Sequence, residues 1–320
     1  MTGAQPDPTL AEVGEFAVIE QLIAGRRQPD EVLLGPGDDA AVLRAADGRV
    51  VVSTDMLVAD RHFRLDWSTP QDIGRKAIAQ NAADIEAMGA RPYAFVVGFG
   101  APGDTEAAAA VALSDGMWSE ARRFGAGVVG GDLVAAPQWV ISVTVLGDLA
   151  GRAPVPLSGA RPGQTVAVIG DLGWSAAGYV LWHKGIDEFP ELRSRHLVPD
   201  VRYGQGAAAA VAGATAMTDV SDGLLADLGQ VARASQVSIE LSTEALRGDL
   251  AALASAATAL DADARDWVLT GGEDHVLVAT FDGPPPPGWR VIGGVLSGAP
   301  VVTLDGAVWH GAGGWESFGQ

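Results

Sequence analysis

Gly35-Pro36-Gly37-Asp38-Asp39-Ala40-Ala41-Val42-Leu43, followed by Val50-Val51-Val52-Ser53-Thr54-Asp55, is the stretch from which the rest of the chain can be read. Asp47-Gly48 between the two runs is a strong turn dipeptide flanked by β-branched and apolar residues, and it predicts a β-hairpin over residues 39–55. Such pairing sets residues near 38–40 opposite residues near 53–55. Asp38, Asp39 and Asp55 then crowd one open end together with the hydroxyls of Ser53 and Thr54. Carboxylates ~5 Å apart repel unless something positive sits among them, and neither acidic run contains Lys or Arg. Clustered carboxylates and hydroxyls, with no Cys and no nearby His, form the ligand set of a hard cation such as Mg²⁺. A solvated acidic turn is the alternative for this stretch taken alone.

Outward from that stretch, 320 residues with 48% hydrophobic content are long for one core and suggest two α/β domains of roughly 150 residues each. Residues 148–164, dense in Gly and Pro, mark the boundary. The division expected is a disordered tail over 1–13, an N-terminal domain over 14–150 and a C-terminal domain over 151–320. The 21 basic and 40 acidic residues give a formal net charge of −19, which leaves too little basic surface for a nucleic-acid backbone. With no cysteine there is no disulfide, thiolate nucleophile or Cys-based zinc site. No apolar run approaches ~18 residues and the start is neither basic nor hydrophobic, so a soluble cytoplasmic protein without membrane contact is expected.

Residues 12–25 carry Phe16, Ile19, Leu22 and Ile23 at helical spacing before Gly25. Ser68-Thr69-Pro70 caps a helix that runs to about Met88 and stops at Gly89. Along it, Ile73, Ala77, Asn81, Asp84 and Met88 fall within a sector of about 80°. Asp84 on an apolar face requires a metal or a buried hydrogen bond. Strands follow over 93–100 and 139–147, with a helix over 105–124 between them. Val128-Val129-Gly130-Gly131-Asp132 puts a carboxylate at a strand end, where the glycines let the backbone approach a ligand; an ordinary turn is the alternative.

In the second half, strand 165–170 leads to Asp171-Leu-Gly-Trp-Ser-Ala-Ala-Gly178. This run lacks a P-loop's Gly-Lys-Ser/Thr ending, so it is read as strand-turn-helix packing. Residues 206–217 are a small-residue helix or strand. Met217-Thr218-Asp219-Val220-Ser221-Asp222-Gly223 precedes apolar residues at helical spacing, with Ser221 as the expected N-cap. Gly271-Gly272-Glu273-Asp274 again sets acids after glycines at a strand start. Taken together, Asp38, Asp39, Asp55, Asp84, Asp132, Asp219 and Asp222 are seven carboxylates at strand ends, helix starts or an apolar helix face. Such a set calls for several divalent cations, and those in turn attract polyphosphate and suit phosphoryl transfer.

Six motifs, in order, resemble thiamine-monophosphate kinase of the aminoimidazole-ribonucleotide-synthetase-like ATP-binding superfamily. They are Gly37-Asp38-Asp39-Ala40-Ala41, Ser53-Thr54-Asp55 with His62 beyond, Asp84 before Ala87-Met88-Gly89-Ala90, Gly130-Gly131-Asp132, Asp219-Val220-Ser221-Asp222-Gly223 and Gly271-Gly272-Glu273-Asp274. The resemblance implies a two-domain α/β (α+β) fold whose N-terminal domains pair into a β-barrel in a homodimer. It implies direct transfer of the γ-phosphoryl group of ATP to thiamine monophosphate. Asp38, Ser53, Thr54, Asp55, Asp84, Asp132, Asp219 and Asp222 would be Mg²⁺ ligands, with Asp55, Asp84 and Asp222 central to catalysis. Gly131, Asp132 and Ser221 would lie at ATP, and His62, Glu273 and Trp315 or Phe318 at the thiamine portion. There are two departures. Ala83 stands where the family usually has Ser, and Leu157 replaces an Arg that touches ATP, with Arg152 or Arg161 as substitutes. A purine-biosynthesis enzyme of the same superfamily, or a non-catalytic Mg²⁺- and nucleotide-binding protein, are the alternatives.

Overall fold

The computed structural model describes residues 7–36 and 40–310. The chain divides into two compact units, Met1–Asn81 with Pro92–Asp148, and Ala82–Arg91 with Leu149–Gln320. Among the described residues no helix is long and apolar enough to cross a membrane. Asp38, Trp315 and Phe318 lie outside the described residues.

The first unit contains α1 (Leu10–Val13), α2 (Glu15–Ile23), β1 (Val32–Leu34), β2 (Val42–Leu43), β3 (Val51–Val58) and most of α3 (Pro70–Ala87). It continues with β4 (Arg91–Ala101), α4 (Ala107–Ala121), β5 (Gly127–Ala135) and β6 (Val140–Asp148). Four strands form one sheet in the order β3-β6-β4-β5, with β3 antiparallel to β6 and β4 parallel to β5. Alternation decides which face of β6 is inside: Ile141, Val143 and Val145 are fully buried and the residues between them are not.

Helix α3 starts where the sequence places it. Thr69 Oγ1 accepts the Asp72 N–H at 3.1 Å and donates back to Asp72 Oδ2 at 2.6 Å, a reciprocal cap that fixes the entry. Gly89, at φ +73°, follows its end. Ile73, Ala77, Ile78, Ala79, Ala82, Ala83 and Ile85 are all fully buried, and the polar Lys76, Gln80, Asn81 and Glu86 are buried too, so α3 is buried nearly all round. It meets α4 backbone to backbone. A Cβ on Gly74 would stand 2.0 Å from the Leu113 carbonyl oxygen, and one on Gly116 would stand 2.0 Å from that of Gln71.

Three expectations are corrected here. The Asp47-Gly48 turn forms, with Asp47 Oδ1 accepting the Arg49 N–H and Gly48 at φ +76°, but among the described residues no hairpin ladder grows from it. Strand β2 pairs with β1, and β3 pairs with β6 some ninety residues on, Asp55 opposite Val143. The turn is a local signal, whereas partner choice follows burial against the rest of the sheet. The helix over 12–25 is broken at Gly14, φ +84°, and Phe16 is 84% exposed rather than on a packed face. Residues 7–13 are ordered rather than a disordered tail: Thr9 and Glu12 form a capping box at α1, and Pro8 O accepts the Ala107 N–H.

The second unit contains β7 (Thr165–Ile169), α5 (Trp174–Lys184), α6 (Pro190–Leu197), α7 (Gln205–Val211), β8 (Ala214–Asp219), α8 (Leu224–Ser235) and β9 (Ser238–Leu241). Then come α9 (Arg247–Leu260), α10 (Ala264–Thr270), β10 (Leu277–Phe281), β11 (Arg290–Leu296), β12 (Val302–Leu304) and β13 (Ala307–Val308). The strands form one sheet, β13-β12-β9-β11-β7-β10-β8. Its central strands are covered on both faces. Val166 and Val168 face a core with Leu181, Leu228 and Leu253, while Ala167 and Ile169 pack with Phe281 and Trp289 on the other side. Two covered faces explain the unbroken apolar runs that the sequence shows at β7 and β10.

The α3–α4 contact gives a direct test. Gly116→Ala pushes a methyl group into a helix backbone that cannot rotate away, and it is expected to cost about 3 kcal/mol by urea denaturation. Gly130→Ala, where a Cβ meets nothing within 4 Å, is the matched control and should be close to neutral.

Candidate active site

In the first unit the alternation of β3 puts Ser53 and Asp55 on one face and the exposed Val52, Thr54 and Met56 on the other. Asn81, fully buried, accepts the Asp55 N–H at 3.1 Å and donates to the Ala77 carbonyl at 2.8 Å. It therefore clamps strand to helix by hydrogen bonds. Gln80 Nε2 lies 3.4 Å from Asp55 Oδ2. Thr54 gives its hydroxyl proton to Val143 O at 2.9 Å and accepts from Thr144 Oγ1 at 3.2 Å. Its side chain is thus engaged on the face opposite Asp55.

His62 is fixed from two sides. Its Nδ1 accepts the Val58 N–H at 3.0 Å, and its carbonyl accepts from the buried Lys76 ammonium at 2.7 Å. With Nδ1 an acceptor, neutral His62 carries its proton on Nε2. Lys76 is a residue that the sequence reading missed. An amphipathic lysine reads as a surface residue, and nothing local marks it as buried.

Asp132 is mid-strand in β5 rather than at a strand end, because β5 continues to Ala135. A Cβ on Gly131 would meet the Val97 carbonyl oxygen at 2.0 Å, so glycine there serves the β4–β5 contact. Asp55 and Asp132 belong to opposite edges of the four-stranded sheet, three strand spacings or about 14 Å apart along it.

The second unit holds the densest group. After β8 the chain turns through Val220–Gly223 into α8, and the loop over Gly271–Val276 lies against that turn. Val220 N–H donates to Val276 O at 2.8 Å, His275 N–H to Val220 O at 2.9 Å, and Glu273 N–H to Ser221 O at 2.8 Å. The approach is close enough to exclude side chains. A Cβ on Gly223 would stand 2.7 Å from Thr270 O, and one on Gly272 would stand 2.6 Å from Ser221 O. These glycines let two loops of the protein touch. Glu273 and His275 both hold positive φ, +63° and +52°, a strained geometry kept by the surrounding bonds.

Ser221 is not the cap of α8; Gly223 is, without a side-chain bond. The capping role falls to Asp227, whose Oδ2 accepts the backbone N–H groups of Ser221, Asp222 and Gly223, each at 3.0 Å. Burial, then repulsion from Asp219 and Asp222, pushes the Asp227 carboxyl up to about 7. Asp219 Oδ2 meets His275 Nδ1 at 3.0 Å. A carboxylate only accepts, so that nitrogen carries the proton. Burial alone would lower the His275 pKa, but the hydrogen bond and charge of Asp219, then Glu273 and Asp84, raise it above the usual value. His275 thus presents an Nδ1–H to Asp219 and also feels the charges of Glu273 and Asp84. The sequence reading passed over it as the residue after Gly-Gly-Glu-Asp, although a His directly behind two acids was the available signal.

The N-terminus of α5 bears out strand-turn-helix packing over a phosphate cradle. Asp274, buried and pushed up to about 7 by burial, accepts the N–H groups of Gly173 and Ser175. Leu157, at the position of the expected Arg, packs on the apolar core. Arg152 donates to Gly89 O, and Arg161 pairs with Asp282.

Among the described residues no three His, Asp or Glu side chains are placed to enclose a metal ion. Mg²⁺ does not require that. It is ordinarily held by one or two carboxylates together with water and substrate phosphate oxygens. The side chains of Asp84, Asp219 and Asp222 offer only oxygen, and the repulsion that Asp219 and Asp222 exert on Asp227 marks a place where added positive charge is favoured. The donor set fits the ion.

Two family descriptions match the chain: AIR synthase related protein, N-terminal domain, over residues 37–149, and AIR synthase related protein, C-terminal domain, over residues 161–270. Thiamine-monophosphate kinase of Mycobacterium tuberculosis is 67% identical over 317 residues, 99% of this chain and 95% of the relative. That of Corynebacterium glutamicum is 46% identical, covering 97% and 95%. The solved structure of AaThiL complexed with AMPPCP and TMP superimposes with a TM-score of 0.79 at 28% identity, covering 99% of this chain and 100% of that one. With both halves of the chain matched and such identity over nearly its whole length, the chain belongs to the thiamine-monophosphate kinase family of AIR synthase related proteins.

Proposed function

We propose that the chain transfers the γ-phosphoryl group of ATP to the phosphate of thiamine monophosphate, yielding thiamine diphosphate and ADP. The observation that carries this is the oxygen-only acidic group around His275, made of Asp84, Asp219 and Glu273 with Asp222 beside it, in a chain 67% identical to a thiamine-monophosphate kinase. The acceptor is already an anion, so the reaction needs positioning and charge neutralisation more than a general base. That agrees with a site built of carboxylates.

In this reading Asp38, Ser53, Asp55, Asp84, Asp132, Asp219 and Asp222 hold Mg²⁺. Thr54, expected among them, is left out because its hydroxyl is committed to Val143 O. Bound Mg²⁺ supplies charge neutralisation for the phosphate oxygens. Asp55, Asp84 and Asp222 are the carboxylates closest to the chemistry. Gly131, Asp132 and Ser221 lie at ATP. His62 presents Nε2–H to the substrate, and Glu273, Trp315 and Phe318 contact its thiamine portion. Residues 14–150 form the ATP- and Mg²⁺-binding dimerisation domain, residues 151–320 the C-terminal domain, and the protein works in the cytoplasm.

The sheet supports the proposed homodimer. Among the described residues β3 and β5 are its two edges, and a sheet edge is where another chain can add. Val52 is 64% and Met56 54% exposed on β3, an apolar face suited to a closed barrel. Pairing β3 of one copy with β5 of the other also sets the strand that carries Asp55 beside the strand that carries the partner's Asp132.

Two measurements test this. With ATP and Mg²⁺, thiamine monophosphate is converted to thiamine diphosphate while free thiamine is not, and EDTA stops the reaction. Asp222→Asn lowers kcat by roughly 10²–10³-fold with an unchanged circular dichroism spectrum; nucleotide binding without ADP release in the wild type would identify a non-catalytic protein instead. Separately, Asp55→Asn and Asp132→Asn are each inactive, and unfolding and refolding them together restores about a quarter of wild-type activity if the two residues meet across a dimer. No recovery would place both in the same copy's site.

A further inference from the structure

We propose that His196, seated on Ser175, is a positioning residue for substrate recognition, holding the Glu273 carboxylate in the one orientation that receives the thiamine portion. This rests on the reading of Glu273 as a substrate contact.

His196 lies on α6 and Ser175 in the first turn of α5, both buried. The helices come close because a Cβ on Gly178 would stand 2.2 Å from Leu192 O and 3.0 Å from the His196 Cβ. His196 Nδ1 is 3.2 Å from Ser175 Oγ and 3.5 Å from Glu273 Oε2. Tyr179 meets the imidazole edge to face, ring centroids 5.4 Å apart, and sets its plane. In the tautomer with Nδ1 protonated, that N–H points at the Glu273 carboxylate with the serine oxygen beside it, and this is the tautomer the proposal uses.

This is not a nucleophilic triad. Such a relay uses both ring nitrogens, one for the hydroxyl and one for the acid, whereas here hydroxyl and carboxylate crowd the same nitrogen and Ser175 is 2% exposed. What the arrangement does is orient. The Glu273 backbone is already fixed by its N–H on Ser221 O, by Asp274 on the α5 N-terminus and by its positive φ. Only its side-chain torsions remain free, and His196 restrains them. The Glu273 side chain stays about one-third exposed, which leaves it open to a ligand. Thiamine monophosphate, with a thiazolium cation and an aminopyrimidine N–H donor, is a ligand that a fixed carboxylate recognises. Ordering a glutamate before substrate arrives removes an entropy loss from binding.

Steady-state kinetics on the full chain at saturating ATP test the role. His196→Leu is expected to raise KM for thiamine monophosphate about tenfold while kcat and the KM for ATP change by less than about twofold. His196→Asn, which keeps an N–H near the Nδ1 position, should recover most of that loss. Glu273→Gln should also raise this KM, and the His196→Leu/Glu273→Gln double variant should be no worse than Glu273→Gln alone. An unchanged KM in Glu273→Gln would overturn the substrate-contact reading itself. A raised KM there, with no effect of His196→Leu or with effects that multiply in the double variant, would overturn the positioning role alone. Should His196→Leu not fold, Ser175→Ala carries the same test with a smaller rise in KM and the same non-additivity with Glu273→Gln; an unchanged KM there counts against the role.

Discussion

Like-charge crowding where β8 meets α8 is the constraint on which the rest of the second unit depends. Two carboxylates 4 Å apart in a half-buried setting repel by about 4 kcal/mol, comparable to a large share of a domain's whole stability. Asp219, Asp222 and Asp227 act on one another there, with Asp84 and Glu273 near enough to be felt at His275. The protein answers this locally in two ways. His275 brings a buried proton against Asp219, and the turn over 221–223 aims three N–H groups at Asp227. Both answers are partial, which is why the site favours a further cation.

Those answers need backbone in unusual places, and the glycines supply it. The two loops approach until a methyl group at Gly223 or Gly272 would strike a carbonyl oxygen. Glu273 and His275 take left-handed backbone without being glycine, a cost that persists because their own N–H groups have fixed acceptors in Ser221 O and Val220 O. Strain and charge are therefore coupled: the same loop that bends His275 toward Asp219 turns Asp274 to the α5 N-terminus and sets Glu273 beside His196.

Much of the architecture was legible because its signals are local. The α3 cap, the glycine after it, the Ala-rich α4 and the apolar runs of β7 and β10 each carry their own start, stop or period. The hairpin failed because Asp47-Gly48 specifies a turn and says nothing of which strand β3 will choose. Ser221 looked like a cap for a similar reason: a hydroxyl before an apolar period is the usual signal, and a carboxylate reaching back from Asp227 can fill the same need. Lys76 and His275 were hidden because their environments are assembled from distant segments.

The acidic residues show where that limit falls. By composition Asp219, Asp222, Asp227 and Asp274 are interchangeable, and their neighbours in sequence are similar. What separates them is how many N–H groups the fold aims at each. Asp227 receives three and Asp274 two from the backbone, so both are spent on holding turns. Asp222 gives its own backbone N–H to Asp227 and keeps its side chain partly exposed, and Asp219 is balanced by a single imidazole. A carboxylate saturated by fixed donors has little left to offer a ligand, while one balanced by a single movable proton can exchange partners. That criterion supports the proposal in which Asp219 and Asp222 ligate, with Asp227 and Asp274 as the frame that keeps them in place.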